Sequence, residues 1–463
     1  MQRIVAKFGG SSVADAGQFR KVAGIMAADR RRRIMVVSAP GKRQAGEVKI
    51  TDLLYRCHEM AARSASIDEP FAQIADRFNG IAAALGIRSA LPELLRSLRR
   101  DFELVASRDY MASRGEYLCA RLMAEYLGGE FVDPADHIVL LADGIVDPAS
   151  YADLGARLAE GEKIFVMAGF YGRDLQGNIV TFSRGGSDIS GAIAARAAGA
   201  ILYENWTDTS GILMADPRIV DHPATIEEIS YREVREMSYM GAGVFHDEAI
   251  LPVREANIPV AIRNTNRPEQ PGTRIVPRLS AETLASTEIA GISGRTDMNM
   301  ITIEKSLMNR EPGFAHRLLG IFRRHNIGVD HCPSSIDSIS VIVEEGQLRG
   351  MDEPVLEDIR RELQPDSVSV EKDLALIAVV GEGMARTVGI AARIFTALAG
   401  AGVNVRIINQ GASEINTIVG VAAGDYRRAV RALYQAFSPG QGLSDRRGGK
   451  EKAVPDAVPG PPD

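Results

Sequence analysis

Residues 4–12 read IVAKFGGSS. Three apolar residues run into Lys7, and Phe8, two adjacent glycines and two serines follow. A short apolar run closed by glycines reads as a buried strand ending in a tight turn. Gly9 and Gly10 let the backbone turn sharply and come close to a ligand. The next stretch, ADAGQFRKVAGIMAAD at 14–29, reads as a helix whose leading amides offer a site for an anion. Here the lysine precedes the glycines, so the order is not that of a GxxxxGK[ST] loop. Taken alone, the stretch fits either a phosphate-binding turn or a plain Gly-Gly turn beside an incidental lysine.

Outward from it, the pattern repeats. RRIMVVSA (32–39), KIFVMAG (163–169) and AILYENWTD (200–208) are further apolar runs bounded by Gly, Ser or Asp. Helix-like segments such as EYLCARLMAEYL (116–127) and DISGAIAARAAG (188–199) lie between them, and about 52–112 reads as mostly helical. This alternation over 1–285 predicts an α/β domain with a mainly parallel central sheet. Such sheets bind ligands beyond the carboxyl ends of their strands, so the loops after strands are the candidate sites. Two more of these loops carry chemistry. TFSRGGSDISG (181–191) sets Arg184 before a second Gly-Gly pair and Ser187 and Asp188 after it. Arg184 is suited to forking a carboxylate or phosphate; Ser187 or Asp188 could equally cap a helix. The third loop, WTDTSGILMADPR (206–218), brings Thr207, Asp208, Leu213 and Arg218. Together the three loops read as one polyanion site.

The chain has 463 residues, 45% of them apolar and 25% charged, which fits about three globular domains at ~150 residues each. A net charge of −6 argues against a nucleic-acid binder. The run Arg30–Arg33 reads as a solvated helix end. Cys57, Cys119 and Cys332 are odd in number and widely spaced, which fits apolar filler in a reducing compartment and no cysteine-built metal site. No apolar run approaches the ~18 residues a membrane span needs, and Lys7 with the glycines interrupts any signal-peptide core. A cytoplasmic protein with no membrane or nucleic-acid partner is the expectation.

The C-terminal part is duplicated. GFAHRLLGIFRRHNIGVDHCPSSIDSISVIV and TVGIAARIFTALAGAGVNVRIINQGASEINTIVGV each read as helix, turn, strand, polar loop and strand. Ile327 matches Val403, Ile339 matches Ile415 and Ile342 matches Ile418, always 76 positions apart. A constant separation in both strands predicts two α+β modules, 297–365 and 373–438. Residues 439–463, rich in Pro, Gly and charge, read as a disordered tail.

KFGGSS, RGE (114–116), GFYGRDLQGNIVTFSRGGSD, WTDTSGILMADPR and the paired modules, in this order and spacing, resemble aspartate kinase. That resemblance implies an amino-acid kinase domain followed by two ferredoxin-like ACT domains. It implies ATP and Mg²⁺ as cofactor and phosphorylation of the side chain of L-aspartate to 4-phospho-L-aspartate, the first step of lysine, threonine and methionine biosynthesis. Lys7 and Asp188 are then the catalytic pair. Lys7, Gly9, Gly10, Ser11, Thr207, Asp208, Leu213 and Arg218 would hold ATP, and Thr51, Glu116, Arg184 and Ser187 the aspartate. Met308, Val329, Asp330 and Ser335 match effector positions for lysine, threonine or both, in a homo-oligomer, at least a dimer, paired through the ACT modules. For Met308 and Val329, ordinary core is the competing reading. Three positions depart from the family: Leu213 replaces a frequent tyrosine, Gly243 a frequent lysine, and Ile336 an acid found in a lysine-sensitive relative. A related kinase of different substrate, or a non-catalytic amino-acid sensor, is the alternative.

Overall fold

A fully apolar strand is stable only when both its faces are covered. β1 (Ile4–Phe8) and β2 (Arg32–Val37) meet this condition. Val5, Ile34 and Val36 join one buried apolar cluster, and Ala6, Phe8, Met35 and Val37 join another. Residues 2–88, 90–104, 106–142, 144–159, 163–183, 185–243 and 247–438 are described in this computed structural model. The expected tail, 439–463, lies outside them.

The further strands of the N-terminal part are β3 (Glu130–Val132), β4 (Phe165–Ala168), β5 (Tyr171–Arg173), β6 (Ile179–Thr181), β7 (Leu202–Thr207), β8 (Glu228–Ser230), β9 (Val260–Asn264) and β10 (Thr273–Val276). All but the β5–β6 hairpin form one sheet, ordered β3-β4-β2-β1-β7-β9-β10-β8. From β3 to β9 the neighbours run parallel; β10 is antiparallel to β9. The helices Ala16–Ala27, Ile50–Ala62, Asp68–Leu85, Leu91–Glu103 and Arg108–Leu127 contribute to one apolar cluster, and Ala149–Ala159 and Gly186–Ala197 to the other. The arginine run is not simply a solvated helix end. Arg32 opens β2, is 8% exposed, and donates to Glu204 at 2.7 and 3.0 Å. Position 32 must be inside because it pairs with Ile4 of the central strand.

Strands β11 (Gly291–Glu304), β12 (Ser338–Glu344), β13 (Ser367–Val380), β14 (Ile407–Asn409) and β15 (Asn416–Ala422) form a second sheet, ordered β12-β11-β13-β15-β14. The separation of 76 relates β11 to β13 at both ends (291 to 367, 304 to 380) and the helix Phe314–Arg324 to Ile390–Gly400. The two long strands pair antiparallel along their lengths, Gly291 with Val380 and Glu304 with Ser367. Each repeat therefore lends the stretch before its own first strand to the other. Residues 291–295, outside both segments expected from the sequence, pair with 376–380. A repeat length reveals duplication but not this exchange. One apolar cluster also runs from the N-terminal sheet through Met214, Met237, Ile289 and Ile292 into β13 and β15, so the two sheets share a core.

Candidate active site

β1 and β7 lie side by side with Lys7 opposite Asn205. Lys7 is 7% exposed and Asn205 4%. The Lys7 ammonium is ion-paired with the Asp188 carboxylate. It also lies 3.4 Å from the Asn205 Oδ1, while Asn205 Nδ2 donates to Asp188 Oδ1 at 3.0 Å. Asp188 stands in the first turn of Gly186–Ala197, a helix with no side-chain cap, so its carboxylate serves the lysine and not the helix end. A buried ion pair adds little net stability because desolvation offsets the attraction, yet removing one partner costs about 3–5 kcal/mol. The three side chains are best explained as fixing the direction of the Lys7 ammonium.

Beside them the Gly9–Gly10 turn rests on the loop after β2. Gly41 N–H donates to Gly10 O at 2.8 Å, and a Cβ on Gly41 would sit 2.6 Å from the Gly10 carbonyl carbon. The start of Ala16–Ala27, expected to offer amides to an anion, is instead capped by Asp15, which accepts from Gln18 N–H at 2.9 Å. The short turn Gly10–Val13 is the backbone that follows β1. Its Ser12 is buried, with its hydroxyl 2.7 Å from that of Thr265, while Ser11 is half-buried.

A cleft of about 420 Å³ opens at this edge, and Lys7, Lys49, Thr51, Glu116, Ser187 and Asp188 are among the residues that line it. Gly115 lets the Arg108–Leu127 helix approach, since a Cβ there would meet Ala39 Cβ at 2.8 Å. Glu116 is thereby held 5% exposed, with Oε2 lacking a hydrogen-bond partner among the described residues. Burial pushes its pKa up to about 8, against the smaller opposing effects of an Ala39 backbone hydrogen bond and the Arg114 and Lys7 charges. A buried, half-satisfied carboxyl facing a polar cleft is a ready receptor for an ammonium group.

Some expected residues do not line this cleft. Arg184 lies outside the described residues. Thr207 ends β7 and Asp208 follows it, with Thr207 Oγ1 donating to Asp208 Oδ1 at 3.2 Å. Leu213 is half-buried and bridges Thr225, and Gly243 is exposed. Arg218 turns to solvent, pairs with Asp216 at 2.7 Å, and its carbonyl accepts from Arg427 of the C-terminal part. Met308 is buried in the core of the first repeat, and Val329 packs against that core. Ser335 is exposed. Asp330 accepts from Arg295 at 2.8 Å and from Tyr239 at 2.7 Å. Sequence reasoning missed Asn205, Gly41 and Lys49. The polar Asn205 within the apolar run of β7 was the available signal.

Among the described residues, no group of three or more His, Cys, Asp or Glu is placed to hold a metal, and no helix is long and apolar enough to cross a membrane.

Comparison with known proteins shows the family of the chain. Residues 2–264 match the model of the amino acid kinase family, and 377–437 match an ACT domain model. Aspartokinase 3 of Bacillus subtilis is 40% identical over 94% of this chain and 99% of its own. The solved aspartate kinase of Clostridium acetobutylicum is 45% identical, covers 94% of this chain and all of its own, and superposes with a TM-score of 0.89. Aspartokinase III of Escherichia coli, solved with aspartate and ADP, is 28% identical over 94% of this chain and 99% of its own, with a TM-score of 0.72; it has also been solved with lysine and aspartate. The chain belongs to the amino acid kinase family and, within it, to the aspartokinases.

Proposed function

We propose that this chain transfers the terminal phosphoryl group of ATP to the side-chain carboxylate of L-aspartate, giving 4-phospho-L-aspartate, and that amino acids regulate it through its C-terminal modules. The observation that carries this reading is one cleft lined both by the Lys7–Asp188 ion pair, to which Asn205 is hydrogen-bonded, and by buried Glu116. The aspartate and ADP bound in the Escherichia coli relative support the substrate pair.

The nucleophile is a carboxylate with a reference pKa of ~3.9, ionised at neutral pH, so no general base is required. The barrier is the meeting of two anions, and catalysis is positioning and charge neutralisation. Lys7 faces the transferring phosphoryl group, held in line by Asp188 and Asn205. Gly9, Gly10 and Ser11 cradle the phosphates, and Thr207, Asp208, Leu213 and Arg218 belong to the nucleotide side. Glu116 takes the substrate ammonium, Arg184 its α-carboxylate, and Thr51 and Ser187 complete the aspartate pocket. The donor set fits a magnesium ion carried on the phosphates with most of its waters, since such ions need only one or two protein carboxylates. When bound, Mg²⁺ neutralises phosphate charge.

The catalytic part is read as 1–285 and the modules as 297–365 and 373–438, with 291–295 exchanged as described. Effector binding by Met308, Val329, Asp330 and Ser335 is supported by the lysine complex of the Escherichia coli relative. Pairing of subunits through the modules is supported by their exposed apolar side chains Leu307, Leu319, Ile336, Val388 and Ile408. The free cysteines agree with a cytoplasmic enzyme. ATP-dependent acyl phosphate formation, trapped as the hydroxamate, with aspartate and with glutamate tests the assignment. Turnover on aspartate is expected; saturable amino-acid binding without turnover would make the protein a sensor.

A further inference from the structure

We infer that Lys49 is a substrate-contacting cation of this cleft, binding a carboxylate of the amino-acid acceptor. This deepens the proposed function and rests on it.

The loop after β2 is held firmly enough to aim a side chain. Glu47 accepts from the Arg43 N–H at 2.7 Å and from Arg43 Nε at 2.9 Å, and is ion-paired with Arg77. The Arg43 hydrogen bonds, joined by Arg77, hold the Glu47 carboxyl down at about 2. Arg77 is 7% exposed, belongs to the Asp68–Leu85 helix, and also donates to Gly41 O at 2.9 Å. The loop is thus tied at Gly41 and Glu47, and Lys49 comes two residues later. Lys49 has extended backbone (φ −68°, ψ 147°) immediately before the Ile50–Ala62 helix, whose start carries no side-chain cap.

The charges in the cleft show what Lys49 does. Its described lining holds two cations, Lys7 and Lys49, and three carboxyls, Asp52, Glu116 and Asp188. Lys7 is engaged by Asp188. Among the described residues, no carboxylate lies within ion-pair distance of Lys49, although Asp52, three residues further on, lines the same cleft. The same cleft holds the Glu116 carboxyl, more than nine-tenths buried and with Oε2 unpartnered among the described residues. An α-amino acid is a zwitterion with a second carboxylate. Glu116 offers the place for its ammonium. Lys49 and the uncapped helix start beside Thr51 offer positive potential for a carboxylate a few bonds away. Each feature alone is ordinary; in one cleft they form a receptor for a dicarboxylic amino acid.

The test compares wild-type enzyme with Lys49→Met and Lys49→Arg. Aspartate binding is measured by titration calorimetry without nucleotide, nucleotide binding is measured separately, and turnover is run in parallel. Lys49 is exposed, so the melting temperature should be unchanged. Loss of one charge-assisted contact should weaken aspartate binding and kcat/KM for aspartate by roughly tenfold to a hundredfold. Nucleotide binding should be unaffected, and Lys49→Arg should restore part of the loss. Unchanged aspartate binding in Lys49→Met, or a loss confined to nucleotide, would overturn the assignment. If the wild type bound aspartate but never phosphorylated it, the proposed function would fail while the calorimetric comparison still decided the role of Lys49.

Discussion

The Tyr239 hydroxyl donates to Asp330 Oδ1 at 2.7 Å, joining the last residue of the Tyr231–Tyr239 helix to the first C-terminal repeat. Arg295 donates to the same oxygen at 2.8 Å and to Glu344 at 3.0 Å. Earlier along this helix, Glu236 accepts from Asn416 at 2.6 Å, and Glu233 accepts from the Glu382 N–H at 2.7 Å. The helix is therefore tied to both repeats along its length. An effector ammonium that takes Asp330 Oδ1 competes with partners already in place.

Tyr239→Phe should consequently make an effector bind more readily. Removing a hydrogen bond to a carboxylate frees about 1.5–3 kcal/mol at most, less at a half-exposed site. The half-inhibitory concentration should fall several-fold while uninhibited kcat is retained, and Asp330→Asn should abolish sensitivity. Inhibition curves for lysine and threonine with both variants check this; identical curves would remove Asp330 from the effector site.

Glu116 gives a pH dependence of definite sign. Its folded pKa of about 8 is above the ordinary value of 4.5, so the folded protein retains a proton there that the unfolded chain has lost. Stability should fall as pH rises from the ordinary value through about 8, and Glu116→Gln should flatten that slope. Binding an ammonium needs the ionised form. KM for aspartate should therefore decrease as pH rises towards 8, with proton release on binding at neutral pH. Calorimetry in buffers of different ionisation enthalpy measures that release; its absence would mean that Glu116 is ionised before substrate arrives.

Gly41→Ala tests the support of the phosphate turn. The new Cβ would lie 2.6 Å from Gly10 C and 2.8 Å from both Gly10 O and Ser11 N, all backbone atoms that cannot rotate away. A destabilisation of about 1–3 kcal/mol is expected, with a larger loss in kcat/KM for ATP than for aspartate. Thermal unfolding and initial rates distinguish a local shift from general misfolding.

The sequence made β1, its glycine turn and the repeat legible because each is local or strictly periodic. The neighbourhood of Lys7 suggests a phosphate turn but fits a plain Gly-Gly turn equally well, and only the order of all the motifs singles the lysine out. Asn205 could not be singled out, because its contact with Lys7 exists only once β7 lies beside β1 in register, 198 positions away. Gly41 and Lys49 were hidden similarly, since their meaning depends on which loops meet at the sheet edge. Arg32 looked like a surface charge until Glu204 was seen opposite it. The constant separation of the repeats revealed two modules, but the exchange of 291–295 required the pairing itself.

On the proposed reading Lys7, aimed by Asp188 and Asn205, stabilises a phosphoryl group passing to aspartate. The measurement that tests it most directly is the initial rate of aspartyl phosphate formation by wild type and Lys7→Ala at saturating Mg-ATP, with nucleotide binding measured on both. The account predicts turnover by the wild type and a loss of about a hundredfold or more in kcat for the variant, with ATP still bound. Undiminished turnover by Lys7→Ala would contradict it.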